Sequence, residues 1–241
     1  MTSKAASEGP PSVWEDLLEI FYAPRAVFER RRETPAFGLA LVAFVVAAVA
    51  LAIAFRSLMD PIFDAEFKRG MAQAMQQNPK LTEAQMLKGK EFFEKFSVLI
   101  IGVSSLVIPL LLGLTVWLVG QVVGATTQVG QAMMIGVYGY FPRILENLIG
   151  AAQLVVLPDD AITSRYSVTL GIGRFLDVAH ANPIVLALLG RVDLFTLWIT
   201  VLLAVGLAVT GRLSKEQTAA AGAMLWIAGA LWPLWGALQA L

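Results

Sequence analysis

SVLIIGVSSLVIPLLLGLTVWLVGQVV, residues 97–123, is an uninterrupted apolar stretch without a charged side chain. It lies inside a longer uncharged run that extends from Phe96 to Pro142. A bilayer with a hydrocarbon core of ~30 Å requires about 20 apolar residues in a helix, because each residue adds ~1.5 Å and every backbone polar group must be paired inside the helix. Residues 97–123 are therefore predicted to form a transmembrane helix.

The composition of the whole chain agrees with a membrane protein. Of its 241 residues, 57% are hydrophobic and 15% are charged, and the mean hydropathy is +0.70, which lies outside the usual balance of soluble domains. The 18 Lys and Arg side chains balance the 18 Asp and Glu side chains, so there is no basic field to hold nucleic acid phosphates. These values predict a bilayer as partner and exclude nucleic acid.

Catalytic and cofactor-binding patterns are missing from the sequence. The chain has no cysteine and one histidine, which excludes disulfides and nearly all metal sites built from these residues. It also has no phosphate-binding loop, serine-nucleophile elbow or zinc-helix motif. We therefore predict a protein that is not an enzyme and has no catalytic residues, no cofactor and no metal site.

Five stretches are long and apolar enough to cross a bilayer, so we predict an all-α integral membrane protein with a bundle of five transmembrane helices. The predicted spans are residues 36–58, 97–123, 131–157, 184–210 and 218–240, all within a domain at 35–241. Residues 1–12 contain mainly small and polar groups and cannot bury enough apolar surface to fold. They are expected to form a disordered tail.

The segment at residues 13–34 is predicted to be amphipathic. Apolar side chains recur at helical spacing, opposite three acidic ones, until Pro24 stops or bends the run. The apolar set is Val13, Trp14, Leu17, Leu18 and Phe21, and the acidic set is Glu15, Asp16 and Glu19. This segment either lies on the membrane surface or packs against the cytoplasmic end of the bundle.

The loop at residues 59–96 is predicted to be a helical hairpin. Asn78-Pro79 marks the break between its two arms. Thr82, with Gln85 three residues later, resembles a capping box that opens the second arm. This second arm is expected to continue into the span at 97–123.

The orientation follows from the basic residues beside short loops. Arg30, Arg31 and Arg32 precede the first span, and an excess of Lys and Arg marks the cytoplasmic side. Five spans then place the C-terminus outside, and Arg212 and Lys215 in the fourth loop agree with this topology. The basic side chains of the first loop oppose it; they are Lys68, Arg69, Lys80, Lys88, Lys90 and Lys95. We predict a multi-pass protein of the inner membrane with a cytoplasmic N-terminus.

Polar residues inside the predicted spans are the candidate functional site, because an ionisable side chain in hydrocarbon is costly unless it is paired. Arg143, Glu146 and Asn147 follow Pro142, where a kink or a broken helix is expected, and Asp193 lies near the fourth span. Arg143 and Glu146 are three residues apart and share a helix face. They form either a structural ion pair, in which Asp193 could join, or part of a transport path.

Asp193 allows two interpretations. Asn182 could cap a helix that has Pro183 at its first position, which would bury Asp193 about ten residues deep. Alternatively, a short helix ends at Gly190, and Asp193 caps a span that begins at Leu194.

Three motifs occur in a characteristic order along the chain. They are FYAP at 21–24, YGYFP at 138–142 and LALLGRVDLFTLW at 186–198. In order and spacing they resemble the Yip family, five-pass membrane proteins named for Ypt and Rab GTPase interaction, in its bacterial branch. The positions that carry the resemblance are Pro24, Gly139, Tyr140, Pro142, Asp193, Phe195 and Trp198.

The resemblance implies a cytoplasmic N-terminus and an outside or lumenal C-terminus. For eukaryotic relatives it implies secretory trafficking with Rab partners, but their Asp-Leu-Tyr-Gly-Pro motif is absent ahead of the first span here, which disfavours a Rab-type GTPase. We predict a non-enzymatic scaffold or membrane-organising protein that contacts other membrane proteins. The alternative is a small transporter or channel component that uses Arg143, Glu146 and Asp193.

Overall fold

The computed structural model describes residues 12–78, 80–158, 161–178 and 180–239. Almost all of the regular structure in these ranges is helical. The α-helices are α1 Val13–Glu19, α2 Pro24–Arg31, α3 Gly38–Ala54, α4 Arg56–Gln77, α5 Glu83–Val122, α6 Val129–Gly139, α7 Pro142–Val156, α8 Pro183–Leu189, α9 Leu194–Gly211 and α10 Lys215–Gln239. Short 3₁₀ helices at Arg165–Val168 and Ile172–Phe175 follow α7. The predicted tail lies outside the described residues except for Ser12, and so does Pro79.

Membrane-spanning helices are present, which confirms the predicted class. Within the described ranges, three helices are long and apolar enough to cross a bilayer: α5, α9 and α10. A fourth candidate is α3 together with residues Arg56–Met75 of α4, which meet at a bend of 82°. Helix α5 has 40 residues and runs from the first loop into the second predicted span. Thr82 caps it, because the Thr82 hydroxyl accepts from the Gln85 N–H while the Gln85 side chain accepts from the Thr82 N–H.

The first predicted span, 36–58, is not a single helix. Helix α3 ends at Ala54, and Phe55 leaves helical geometry with φ −106° and ψ 12°. Arg56 follows immediately, and its guanidinium donates to the Glu94 carbonyl at 3.3 Å. The chain therefore turns where the first charged side chain must leave the hydrocarbon.

The third predicted span, 131–157, is interrupted in the middle. Helix α6 ends at Gly139, and Pro142 occupies the first turn of α7. Proline lacks an N–H and is best tolerated at that position, so it favours a new helix start over a continuous helix. The break expected at Pro142 is thus observed.

The fourth predicted span, 184–210, is also divided. Asn182 caps the short helix α8, and the Asp193 carboxylate caps α9. The second interpretation of Asp193 is therefore correct in its local geometry, although the side chain is also buried. Because each helix has its own cap, the four residues between them do not continue the helix.

Helices α5 and α6 cross with their backbones in contact. A Cβ atom on Gly136 would lie 2.4 Å from the Gly113 nitrogen and from the Pro109 carbonyl oxygen. A Cβ atom on Gly113 would lie 2.7 Å from the Met133 Cα. In lipid, helix association depends on close packing rather than on the hydrophobic effect. This backbone contact is therefore expected to hold α5 and α6 together.

The N-terminal helices α1 and α2 pack along α9 rather than beyond its end. The Phe28 ring covers Gly206, and the Phe21 and Trp198 ring centroids are 5.9 Å apart. Val27 and Phe28 are fully buried. Of the two interpretations of this segment, the contacts favour packing against the bundle.

Side-chain hydrogen bonds define two ends of the bundle. At one end, named the near end, Gln131 donates to the Arg32 carbonyl at 2.7 Å, and Gln217 donates to the Val123 carbonyl at 2.9 Å. At the opposite end, named the far end, Gln77 donates to the Gln239 carbonyl at 2.6 Å. The near end thus gathers the start of α3, the α5–α6 connection and the α9–α10 connection.

Candidate functional site

Arg143 links helix α7 to helix α9. Its Nη1 forms an ion pair with Glu146 one turn later on α7, and its Nη2 contacts the Thr196 hydroxyl on α9 at 3.3 Å. The guanidinium also lies 5.9 Å from the centre of the Tyr140 ring, a distance typical of a cation–π contact. The Arg143 and Glu146 side chains are 30% and 24% exposed. The two predicted partners therefore meet, and Arg143 is held by three groups.

Asp193 lies close to this pair, but its main bonds are local. Its Oδ1 accepts hydrogen bonds from the backbone N–H groups of Phe195 and Thr196, both at 3.0 Å. Such a cap satisfies donors that have no partner inside a helix. Asp193 also attracts Arg143 electrostatically. Asn147, in contrast, is exposed, and the structure does not place it within the cluster.

Arg191 is a member of this region that the sequence analysis did not select. Its Nη2 donates to the Trp226 carbonyl on α10 at 3.0 Å, and its guanidinium lies 5.6 Å from the centre of the Trp226 ring. Gly229 gives it room, since a Cβ atom there would lie 2.6 Å from Nη2. The sequence showed Arg191 two residues before Asp193 but gave no indication of its neighbour on α10.

The residues that carry the family resemblance lie mainly at one junction of α6, α7 and α9. Gly139 allows close contact, because a Cβ atom there would lie 2.7 Å from the Leu203 side chain. Tyr140 packs on Phe44, with ring centroids 5.4 Å apart. Phe195 and Trp198 stack at 6.1 Å. In this structure these positions act through packing, with Pro24 and Pro142 starting helices.

A second charged cluster joins α1 to α2. The Asp16 side chain is fully buried and receives both Arg30 and Arg31, the latter through Nε at 2.6 Å. Glu19 also accepts from Arg30, at 2.6 Å. Burial alone would lower the pKa of Arg30, but the hydrogen bonds and charges of Asp16 and Glu19 raise it above its ordinary value. The expected separation of faces on α1 is therefore not observed, since an acidic residue of the predicted polar side lies inside.

Tyr138 extends this N-terminal cluster into the bundle core. The residue is fully buried, and its hydroxyl lies near Asp16. No described residue offers that hydroxyl a hydrogen bond of acceptable geometry. A buried hydroxyl without a partner is destabilising.

Two surface cavities lie toward the far end. One, of about 480 Å³, is lined by Gly171, Arg174 and Asp193. The other, of about 630 Å³, is lined by Arg69 of α4, by residues between α7 and α8 and by Leu186 of α8. Arg143 and Glu146 line neither cavity. Among the described residues, no three His, Asp or Glu side chains are placed to hold a metal ion.

The fold and these charged clusters define a polytopic α-helical membrane protein with polar groups fixed between its helices. The sequence model of the Yip1 domain matches residues 18–236. The chain therefore belongs to the Yip1 family, as its motifs predicted, and this family is not a known family of enzymes. Neither a search of curated proteins nor a search of solved structures finds a match.

Proposed function

We propose that this protein is a non-enzymatic membrane scaffold that binds other membrane proteins through the outer face of its N-terminal segment. The observation that carries the proposal is a row of large side chains on that face. Trp14 and Leu18 are one helical turn apart on α1, and Tyr22 follows in the turn before α2; the three residues are 61%, 67% and 74% exposed. Exposed aromatic and apolar groups in such a row are typical of an interaction surface.

The position of this face favours a partner in the same membrane. The segment lies along α9, between Gly206 and Trp198, which are about 12 Å apart on a helix. A protein that covers the row must therefore approach the side of the bundle. The exposed Arg25–Glu29 ion pair at 2.8 Å lies on the same segment, and interface rims commonly combine charges with apolar anchors.

Five passes through the bilayer are the topology that best accounts for the two ends of the bundle. Helix α3 leaves the near end, α5 returns to it, α6 and α7 together leave it, α9 returns, and α10 leaves again. The hydrogen bonds at Arg32, Val123 and Gln239 support this alternation. With Arg30 to Arg32 at the near end, the positive-inside rule makes that end cytoplasmic. We propose an inner-membrane protein with an outside C-terminus.

The Arg143–Glu146 pair has a structural role in this proposal. Arg143 is committed to Glu146, Thr196 and Tyr140, which fixes the contact between α7 and α9. Since neither member of the pair lines a described cavity, the geometry favours a register-fixing pair over a transport path.

In-cell crosslinking tests the scaffold directly. A photoreactive amino acid at Tyr22 should give covalent products with a small set of membrane proteins, identified by mass spectrometry. The matched control is Trp232 on α10, which is 84% exposed and is expected to face lipid. Equal protein capture from both positions, or none from position 22, would refute the proposed interface.

Reporter fusions test the topology separately. Fusions after Arg32 should report the cytoplasm, whereas fusions near Lys80 and at the C-terminus should report the outside. An outside signal at Arg32 would refute the proposed orientation. It would not affect the scaffold proposal, which the crosslinking experiment tests.

A further inference from the structure

Arg191 is a charged side chain whose own bundle does not neutralise it by contact. Among the described residues, no carboxylate oxygen lies within 4.0 Å of its guanidinium, whereas Arg143 is paired with Glu146. Asp193 attracts Arg191 from a greater distance, and Arg143 repels it. A guanidinium at the level of a membrane-spanning helix is costly without a close anion.

The same place has two hydrogen-bond donors without partners. The Nε of Arg191 and the indole Nε1 of Trp226 are buried, and no described residue accepts from either of them. Both belong to the one contact in which Arg191 lies over the Trp226 ring. Two adjacent orphan donors, one of them cationic, suit an acceptor with several negatively charged oxygens.

The depth of Arg191 is set by Gly229, against which its guanidinium lies. Trp232 and Trp235 follow on the same helix and are 84% and 62% exposed. Exposed tryptophans mark the headgroup level of a bilayer, and these two lie only ~5 to 9 Å beyond Gly229 along the helix axis. A long arginine side chain can reach that level by snorkelling.

Gly229 itself is exposed, and the half-buried Arg191 side chain lies against it, so the guanidinium is next to the lipid-facing surface of α10. A molecule that approaches from this side comes out of the lipid of the far leaflet. Because the Arg191 Nε and the Trp226 Nε1 are turned inward, a phospholipid phosphate reaches them only when the arginine side chain swings outward past Gly229. The phosphate then supplies the charge that Arg191 lacks.

We propose that Arg191 and Trp226 form a binding site for the phosphate group of an anionic phospholipid in the far leaflet. When the Arg191 side chain swings toward the headgroups, the phosphate oxygens accept from its Nε and from the Trp226 Nε1, while the acyl chains follow the exposed surface of α10. An anionic lipid is preferred over a zwitterionic one because its negative charge balances the positive charge of Arg191 and brings no second positive charge with it.

Native mass spectrometry of the full-length protein in detergent, titrated with phosphatidylglycerol, tests this site. Arg191→Gln should weaken phosphatidylglycerol binding about ten-fold, because a charge-assisted hydrogen bond is lost. Trp226→Phe keeps the ring under the guanidinium but removes one donor, so it should weaken binding about three-fold. Circular dichroism of each variant establishes that the helices remain folded.

Arg174→Gln is the matched control, since Arg174 is an exposed arginine toward the same end of the bundle and its loss changes the net charge equally. Its phosphatidylglycerol affinity should change less than about two-fold. The site is refuted if all three variants bind this lipid equally, or if diacylglycerol with the same acyl chains binds as well as phosphatidylglycerol. Displacement of the lipid by inorganic phosphate at equal concentration would assign the donors to a free anion and refute a lipid site. If Arg191→Gln does not fold, unchanged binding by Trp226→Phe is sufficient to refute it.

Discussion

The two charged clusters of this protein differ in how completely their charges are neutralised by close partners. In the N-terminal cluster, one fully buried carboxylate, Asp16, receives two guanidinium groups. In the cluster between α7, α9 and α10, Arg143 has a close carboxylate but Arg191 has none within 4.0 Å among the described residues. The compensated charges of the first cluster hold α1 against α2, whereas Arg191 is held only by the carbonyl and the ring of Trp226.

The strongest test of the compensated cluster is the loss of Asp16. Asp16→Asn removes the charge that Arg30 and Arg31 share, and breaking a buried pair costs about 3–5 kcal/mol. We expect the free energy of unfolding in detergent to fall by about that amount, and trypsin to cleave within α2 faster than in the unaltered protein.

The control is Glu29→Gln, which removes an exposed ion pair with Arg25 on the same segment. Its effect should stay below about 0.5 kcal/mol, as is usual for exposed helical pairs. Equal losses for the two variants would show that Asp16 does not anchor the segment.

The second cluster should respond less strongly, because its ion pair is partly exposed. Arg143→Gln leaves Glu146 without its cation, and we expect a loss of about 1–3 kcal/mol in the free energy of unfolding. Replacing Arg143 by Met and Glu146 by Leu together should restore stability to within about 1 kcal/mol, since an apolar pair needs no counter-ion.

The same variants separate structure from transport. A structural pair predicts a lower yield of folded Arg143→Gln and recovery in the double variant. A transport path predicts a normal folded yield for Arg143→Gln and loss of ion flux in proteoliposomes. If neither yield nor flux changes, both roles of the pair are wrong.

Tyr138→Phe sharpens the comparison at the edge of the N-terminal cluster. If the buried hydroxyl has no partner, its removal should leave the free energy of unfolding unchanged or raise it by up to about 1 kcal/mol. The measurement is denaturant unfolding beside the unaltered protein. A loss of more than about 1 kcal/mol would mean that the hydroxyl donates to Asp16 and belongs to the cluster.

The smallest effect is expected in the first loop, where Lys90 on α5 contacts Asp64 on α4 at 2.6 Å near solvent. The hydrogen bond from Lys90 lowers the pKa of Asp64, and the same bond raises the pKa of Lys90. The pair therefore stabilises the loop between the ordinary Asp pKa of ~3.9 and the ordinary Lys pKa of ~10.4. Its contribution is lost as the pH falls through the lowered pKa of Asp64 or rises through the raised pKa of Lys90.

Hydrogen exchange of the α4 and α5 amides measures this contribution. Asp64→Asn should increase exchange slightly at pH 7 and not at all at a pH below the pKa of Asp64 in the folded protein. An equal increase at both pH values would exclude the ion pair as its cause.

The membrane class and the family could be predicted because they depend on properties of short stretches. A long apolar run predicts that its helix lies in lipid. Pro142 and Thr82 each mark the start of the helix to which they belong. The bend at Phe55 was missed because residues 36–54 are apolar enough to suggest a longer span, and the Arg56 side chain beside the bend bonds to the carbonyl of Glu94. That partner is 38 positions away.

In the charged clusters too, contacts within one helix could be predicted and contacts between helices could not. Arg143 and Glu146 could be paired from sequence since three residues on a helix fix their relative positions. Asp16 was assigned to the polar side of the amphipathic segment because its partners Arg30 and Arg31 belong to another helix. Arg191 was passed over because Trp226 reaches it only when α10 folds back along α9.

Helix α5 is longer than the membrane is thick. Its 40 residues extend ~60 Å, about twice the thickness of the hydrocarbon core, so roughly half of the rod projects beyond the far face. A tilt of about 10° around the near end would displace the outer tip by roughly 10 Å. A small change in the tilt of α5 at the near end would thereby be amplified into a larger displacement on the other side of the membrane.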